Sequence, residues 1–192
     1  MVSIQLPNWD SRGILPPVLP GAGGTDPRRS PYLIDLFMLL DRFASSPERK
    51  RILNGFLSFR QMLHRLGITK GFQWLDGSFL ENIELLKNHP PNDMDVVTYY
   101  ELPTRMTQAS LVEKAGGELE HGNLKEKYSI DAYFSELGRP LDVRQAQSLT
   151  YWYSMWSHRR DGLWKGFVQV DLAPNQDDTA RAMLLTLGGF EL

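Results

Sequence analysis

The stretch LDGSFLENIELLKNHPPNDMDVV, residues 75–97, decides how this chain is read. FQWL (72–75), which runs into it, has the residue types of a strand. Asp76-Gly77-Ser78 makes a tight turn, and SFLENIELLK (78–87) places its apolar residues at helical spacing. HPPND is a loop, and MDVVTYY (94–100) is a β-rich run. A glycine at the turn lets the backbone approach a ligand closely and adopt torsions that other residues resist. The helix that follows would offer free amides and the positive end of its dipole, and Ser78 adds a hydroxyl donor. Together these features suit a phosphate-sized anion. The plainer reading of Gly77-Ser78 is a tight turn and nothing more.

The acids of NDMDVV sharpen the choice. Alternate residues of a strand face one side, so Asp93 and Asp95 are expected to project together, with Met94 and Val96 facing the opposite layer. Two neighbouring carboxylates repel unless a cation neutralises them. Oxygen ligands at this spacing suit magnesium, which typically takes one or two carboxylates and substrate phosphates. A solvated strand end is the alternative; it fits Asp93, which follows Pro-Pro-Asn, better than Asp95, which precedes Val96 and Val97. A third acid, Asp131, lies in YSIDAYF (128–134), an alternating strand-like run. Burying it unpaired is expensive, and a neighbouring metal-bound pair would relieve that cost. A surface aspartate on an edge strand is the alternative.

The order Gly-Ser, short helix, Asp-x-Asp on a strand, then a lone Asp on a later strand resembles the nucleotidyltransferase superfamily. The resemblance covers roughly residues 72–134. The flanking SPY and WSHRRDGLWKGFVQVDL segments resemble an uncharacterised bacterial branch with such a core. The spacing from Ser78 to Asp93 is slightly longer than that pattern, and the Pro90-Pro91 loop is where the extra length would go. The resemblance implies a nucleotidyltransferase-like mixed sheet flanked by helices, and an activity that moves an NMP group from an NTP to an acceptor hydroxyl. It implies that Gly77 and Ser78 hold the β,γ-phosphates and that Asp93 and Asp95 bind Mg2+ (or Mn2+). Asp131 would complete the metal site and help to deprotonate the acceptor, which is an RNA 3′ end, a protein side chain or a small molecule.

Outward from this centre, SHRRDGLWK (157–165) clusters Arg159, Arg160 and Lys165 after a helix rich in aromatics (Tyr151, Trp152, Tyr153, Trp156). The three cations are candidate nucleotide-binding residues. Core packing for the aromatics and helix-end complementation for the arginines are the alternatives. PERKRIL (47–53) reads as a solvated helix face, and Lys125-Glu126-Lys127 as a turn or a strand entry.

Residues 1–31 hold six of the twelve prolines. Proline lacks an amide donor and fixes φ, so this segment is expected to be an extended arm. Ile4, Leu6, Trp9, Ile14, Leu15, Val18 and Leu19 give it something to bury; a disordered tail is the alternative. Residues 32–192 are expected to form one domain: a helical pair over 32–67, a core over 72–172 and a C-terminal helix over 176–187 with a glycine stop. Ser30 is the expected cap of the first helix, with Pro31 in its first turn; Ser46 and Pro47 start the second, and Gly67 ends it. PTRMTQASLVEKAGG reads as a helix ending at Gly116 or Gly117, and VRQAQSLTYWYSMWSHRR (143–160) as another; GFVQVDL (166–172) reads as a strand. Alternating strands and helices make the expected class α/β (α+β).

Composition closes off other chemistry. The chain has no cysteine, which excludes disulfide-linked partners, thiolate zinc sites and cysteine nucleophiles. The four histidines (His64, His89, His121, His158) lack mutual ligand spacing. Net charge is −2, against a generally basic nucleic-acid coat. No run approaches the about 18 apolar residues needed to span a bilayer, and the N-terminus has no signal-peptide pattern, so a cytoplasmic location is the expectation. A reading from a different class keeps the fold without the chemistry: a binding protein, for example the antitoxin-like partner of a second protein in a toxin–antitoxin or phage-defence setting. The retained acids Asp93, Asp95 and Asp131 favour the enzyme.

Overall fold

Helix α2 (Pro47–Leu66) organises the domain. Ser46 accepts a hydrogen bond from the Arg49 amide, Pro47 starts the first turn, and Gly67 closes the helix at φ 94°, where only glycine is unstrained. Ile52, Phe56, Phe59, Leu63 and Leu66 recur on one face and are all buried. The computed structural model describes residues 6–138 and 142–188. Ile4 and Gly189 therefore lie outside the described residues.

Around α2 the described residues form β1 (Tyr32–Leu33), α1 (Leu36–Phe43), β2 (Gly71–Asp76), α3 (Ile83–Lys87), β3 (Met94–Glu101), α4 (Gln108–Ala115), α5 (His121–Tyr128), β4 (Ile130–Leu137), α6 (Val143–Trp156), β5 (Val168–Asp171) and α7 (Asp177–Gly188). The sheet order is β1-β5-β2-β3-β4. β2 runs antiparallel to both neighbours, whereas β1 is parallel to β5 and β4 to β3. The fold is a mixed five-stranded sheet flanked by helices, an α+β architecture.

Register assigns the two faces. Gln73 and Leu75, Met94, Val96 and Thr98, and Ala132 and Phe134 share the face that meets α2, where Phe59 packs on Phe134 and Arg60 donates to Gln73. Phe72, Trp74 and Asp76 share the other face with Asp95, Val97, Tyr99, Asp131 and Tyr133. Helix α6 covers that side: Trp152 packs on Tyr133, Tyr153 on Trp74, and Trp156 on Phe167. With both faces covered, β3 is buried over Val96–Tyr100.

Four local expectations are corrected. Ser30 does not cap the first helix: Tyr32 and Ile34 donate to Phe167 and Gln169 of the β5 region, so 32–33 is a strand, and the Asp35 side chain caps α1. Residues 78–87 are not one helix but a 3-10 turn, Ser78–Leu80, followed by the short α3. The carbonyls of Phe79, Leu80 and Glu81 are taken by side chains of Arg49 and Trp9, so they do not serve a continuous helical ladder. Lys125–Lys127 lies inside α5, which ends at Ser129 with φ 55°, and β4 starts only at Ile130. The 143–160 helix ends at Trp156.

The N-terminal arm lies on the domain. Ile14 and Leu15 are fully buried, and Gly166 donates to the Leu15 carbonyl. Among the described residues no helix is long and apolar enough to cross a membrane.

Candidate functional site

β2, β3 and β4 reach one end of the sheet with a carboxylate each. Asp76 is the register partner of Asp95, and Asp95 is the register partner of Asp131, so the three point to the α6 side in a row. Asp93 sits one residue before β3, on the rim. Asp131 is the second residue of β4, nearer the strand end than the middle position read from YSIDAYF. The turn after β2 folds back over this row. Gly77 has φ 86° and ψ −172°, a conformation open to glycine alone. A Cβ there would collide with the Asp95 carboxylate.

A loop supplies the facing wall. Residues 157–166 form a hairpin, with His158 bridged to Trp164, the Arg159 amide donating to Leu163 and the Lys165 amide to Ser157. Between this hairpin, α6 and the sheet end lies a cleft of about 810 Å³. Every residue singled out from the sequence lines it: Gly77, Ser78, Asp93, Asp95, Asp131, Arg159, Arg160 and Lys165.

Two ammonium groups moderate the acids. Lys165 is 5% exposed and Asp76 4%; the Lys165 ammonium lies 2.9 Å from Asp76 Oδ1 and 3.3 Å from Glu81 Oε1. Burial opposes the charged form of both groups. For Lys165 the two carboxylates outweigh burial and raise its pKa. For Asp76, burial, with Asp95 beside it, outweighs the ammonium and the Gly77 amide and lifts it well above the usual carboxylate range. Lys165 therefore remains an ammonium shared by two acids, and a phosphate in the cleft would have to share it as well. Lys125 of α5 is the second cation, 2.7 Å from Asp93 and 3.4 Å from Asp131. Its hydrogen bond to Asp93 is the main reason its pKa is raised. Among the described residues Asp95 has no such direct partner. Burial, then the charges of Asp131 and Asp93, push it up to about 6, against the lowering influence of Lys165 and Lys125.

The arginines differ from each other. Arg159 pairs with Asp161 at 3.2 Å and approaches Glu81 at 3.9 Å, whereas Arg160 is an exposed lining residue. Asp76, Glu81 and Lys125 were not singled out from the sequence. For Asp76 a signal existed: alternation with Phe72 and Trp74 puts it on the Asp95 face. For Lys125 and Glu81 none did, because their partners are brought to them only by the tertiary fold.

A model of one protein family matches residues 7–171, which includes the arm from Pro7 onward. The chain belongs to DUF6932, a family of unknown function. Comparison with curated proteins and with solved structures gave no match. The DUF6932 cleft must therefore be judged on its own donors. Among the described residues no three His, Asp or Glu side chains converge as a metal-holding group. At the rim, the Lys125 ammonium sits between Asp93 and Asp131. The donor set itself suits a hard cation: it is all carboxylate oxygen, it already gathers an ammonium, and the buried Asp131 Oδ1 has no hydrogen-bond partner among the described residues, with His121 Nε2 3.5 Å away.

Proposed function

We propose that the protein is a divalent-metal-dependent nucleotidyltransferase, moving an NMP group from an NTP to the hydroxyl of an acceptor. One observation carries this reading: a glycine–serine turn, a row of strand-end carboxylates and an arginine-bearing hairpin, far apart in sequence, line one cleft. An anion-binding turn facing a cation-binding row is what a metal-complexed triphosphate requires.

Asp93, Asp95 and Asp131 would hold Mg2+ or Mn2+, which supplies charge neutralisation and Lewis acidity at the transferring phosphate. The chain's own groups do the rest. Gly77 offers backbone without a side chain in the way, and Ser78 its hydroxyl, to the outer phosphates. Arg159 and Arg160 add positive charge from the opposite wall. Asp131 would accept the acceptor's proton as its oxygen attacks the α-phosphorus and pyrophosphate leaves. Lys165 keeps Asp76 and Glu81 neutralised beneath the turn, so that they do not repel the phosphates.

The test is thermal unfolding with ATP, GTP, CTP and UTP, each with and without Mg2+ or Mn2+. A metal-dependent rise in melting temperature with at least one NTP is expected. Incubation of the responding α-labelled NTP with cell extract then locates the acceptor. No metal-dependent response to any NTP would overturn the enzyme reading in favour of a binding module.

A further inference from the structure

The glycine–serine turn is held from behind by two side chains that lie outside the cleft. Arg49 of α2 is fully buried. Its Nη1 donates to the Phe79 carbonyl and its Nη2 to the Glu81 carbonyl, both at 2.6 Å. Its Nε and Nη2 also grip Glu84 of α3 at 2.6 and 2.8 Å, a bidentate pair. Trp9 of the N-terminal arm donates from Nε1 to the Leu80 carbonyl at 2.7 Å, completing three successive carbonyls. The arm reinforces this contact: the Asn82 amide donates to Gly13, and the Arg42 guanidinium lies 4.1 Å over the Trp9 ring.

Such an arrangement has a physical consequence. A carbonyl held by a side-chain donor fixes the plane of its peptide, and three in succession fix the whole turn. Guanidinium is suited to the task, because its planar fork presents several donors in fixed directions. Arg49 is also too engaged to serve a ligand.

We infer that Trp9 and Arg49 are positioning residues for the nucleotide turn: they hold the carbonyls of Phe79, Leu80 and Glu81 behind the cleft and so fix Gly77 and Ser78 at its surface. This rests on the nucleotide-binding reading of the turn. It makes the proline-rich arm a working part of the site, although no described arm residue lines the cleft.

The experiment uses the full chain with Trp9→Phe, which keeps the ring and loses the N–H donor, and Arg49→Lys, which keeps the charge and loses the fork. Amide hydrogen exchange is followed over 77–84, α2 and β3; ATP, GTP, CTP and UTP binding is measured with Mg2+, and Mn2+ binding alone. Trp9→Phe should exchange about tenfold faster over 79–83, the effect of losing one buried hydrogen bond, with α2 and β3 unchanged. Affinity for the responding NTP should fall about five- to tenfold, with Mn2+ affinity unchanged. Arg49→Lys should show the same pattern more strongly. Unchanged exchange at 79–83, or uniformly faster exchange throughout, in Trp9→Phe overturns the inference, even where Arg49→Lys fails to fold. Faster local exchange with unchanged NTP affinity overturns it too. If the wild type binds no NTP, the functional reading falls separately, and the exchange pattern alone decides whether the two side chains fix the turn.

Discussion

Gly77 lies against the carboxylate of Asp95: a Cβ built on it would stand 3.1 Å from Asp95 Cγ and closer still to Oδ2. The glycine is thus required twice, once for its φ of 86° and once for the space it leaves to the acid. Gly77→Ala should cost about 1–3 kcal/mol of stability from backbone strain. It should also displace Asp95 and weaken Mn2+ binding. Urea unfolding together with Mn2+ titration checks both. A variant as stable as wild type, with unaltered metal affinity, would mean that the turn does not sit over the acid.

Asp95 links the site to pH. Its folded pKa, about 6, exceeds the ordinary 3.8 because burial and the charges of Asp131 and Asp93 disfavour ionisation. The folded state therefore binds this proton more tightly than the unfolded chain. The associated stability is fully present below about pH 4 and is lost as pH rises through 6. Asp95→Asn removes the charge at nearly constant shape. At pH 7.5, without metal, it should be more stable than wild type by on the order of 1–3 kcal/mol; at pH 4 the gain should vanish. The same variant should lose the metal-dependent NTP response. Denaturant unfolding at the two pH values is the measurement, and an equal effect at both would contradict the assignment.

Arg159 and Arg160 stand on the facing wall with different attachments. Arg159 is tied to Asp161 and Glu81, while Arg160 is exposed. Replacing both with Ala should reduce NTP affinity by roughly tenfold or more, since hydrogen bonds to charged groups are worth about 1.5–3 kcal/mol. The residual binding should depend less steeply on salt. The stability loss should stay below about 1 kcal/mol, because the Arg159–Asp161 pair is partly exposed and the Arg159–Glu81 approach is long, at 3.9 Å. A drop in melting temperature without any change in binding would reduce the pair to completing the end of the hairpin.

What the sequence disclosed, and what it hid, follows from the range of the forces involved. Period-two alternation put Asp95 beside a buried strand, and turn chemistry marked Gly77 and Ser78; both signals are local, and both sets of residues line the cleft. The helix expected over 78–87 failed for the opposite reason. Its periodicity is real, but Arg49 and Trp9, distant in sequence, capture the carbonyls that the helix needed. PERKRIL looked like a solvated face because Arg and Lys usually are solvated. Arg49 is instead buried by acceptors that appear only once the turn has folded against α2. Tyr32–Leu33 is too short to announce itself as a strand; it exists because Phe167, just before β5, and Gln169 within it offer their carbonyls as partners. Lys165 shows both sides, since its place near the cleft was legible and its pairing with Asp76 and Glu81 was not.

Lys125 supplies the last test, because its ammonium bridges Asp93 and Asp131, two of the proposed cation ligands. A divalent ion binding there must displace the ammonium, and the half-exposed side chain is free to swing into solvent. Lys125→Met keeps most of the aliphatic stem and removes the competing charge. At low ionic strength its Mn2+ affinity should rise by about three- to tenfold, the equivalent of roughly 0.7–1.4 kcal/mol. Without metal the variant should be no more than about 1 kcal/mol less stable, since a half-exposed ion pair contributes little. Asp93→Asn provides the opposite control and should bind Mn2+ more weakly than wild type. Free Mn2+ measured by electron paramagnetic resonance resolves all three proteins. If Lys125→Met binds Mn2+ as tightly as wild type, the metal does not use the Asp93–Asp131 pair. If it binds more weakly, Lys125 assists the cation site and does not compete with it.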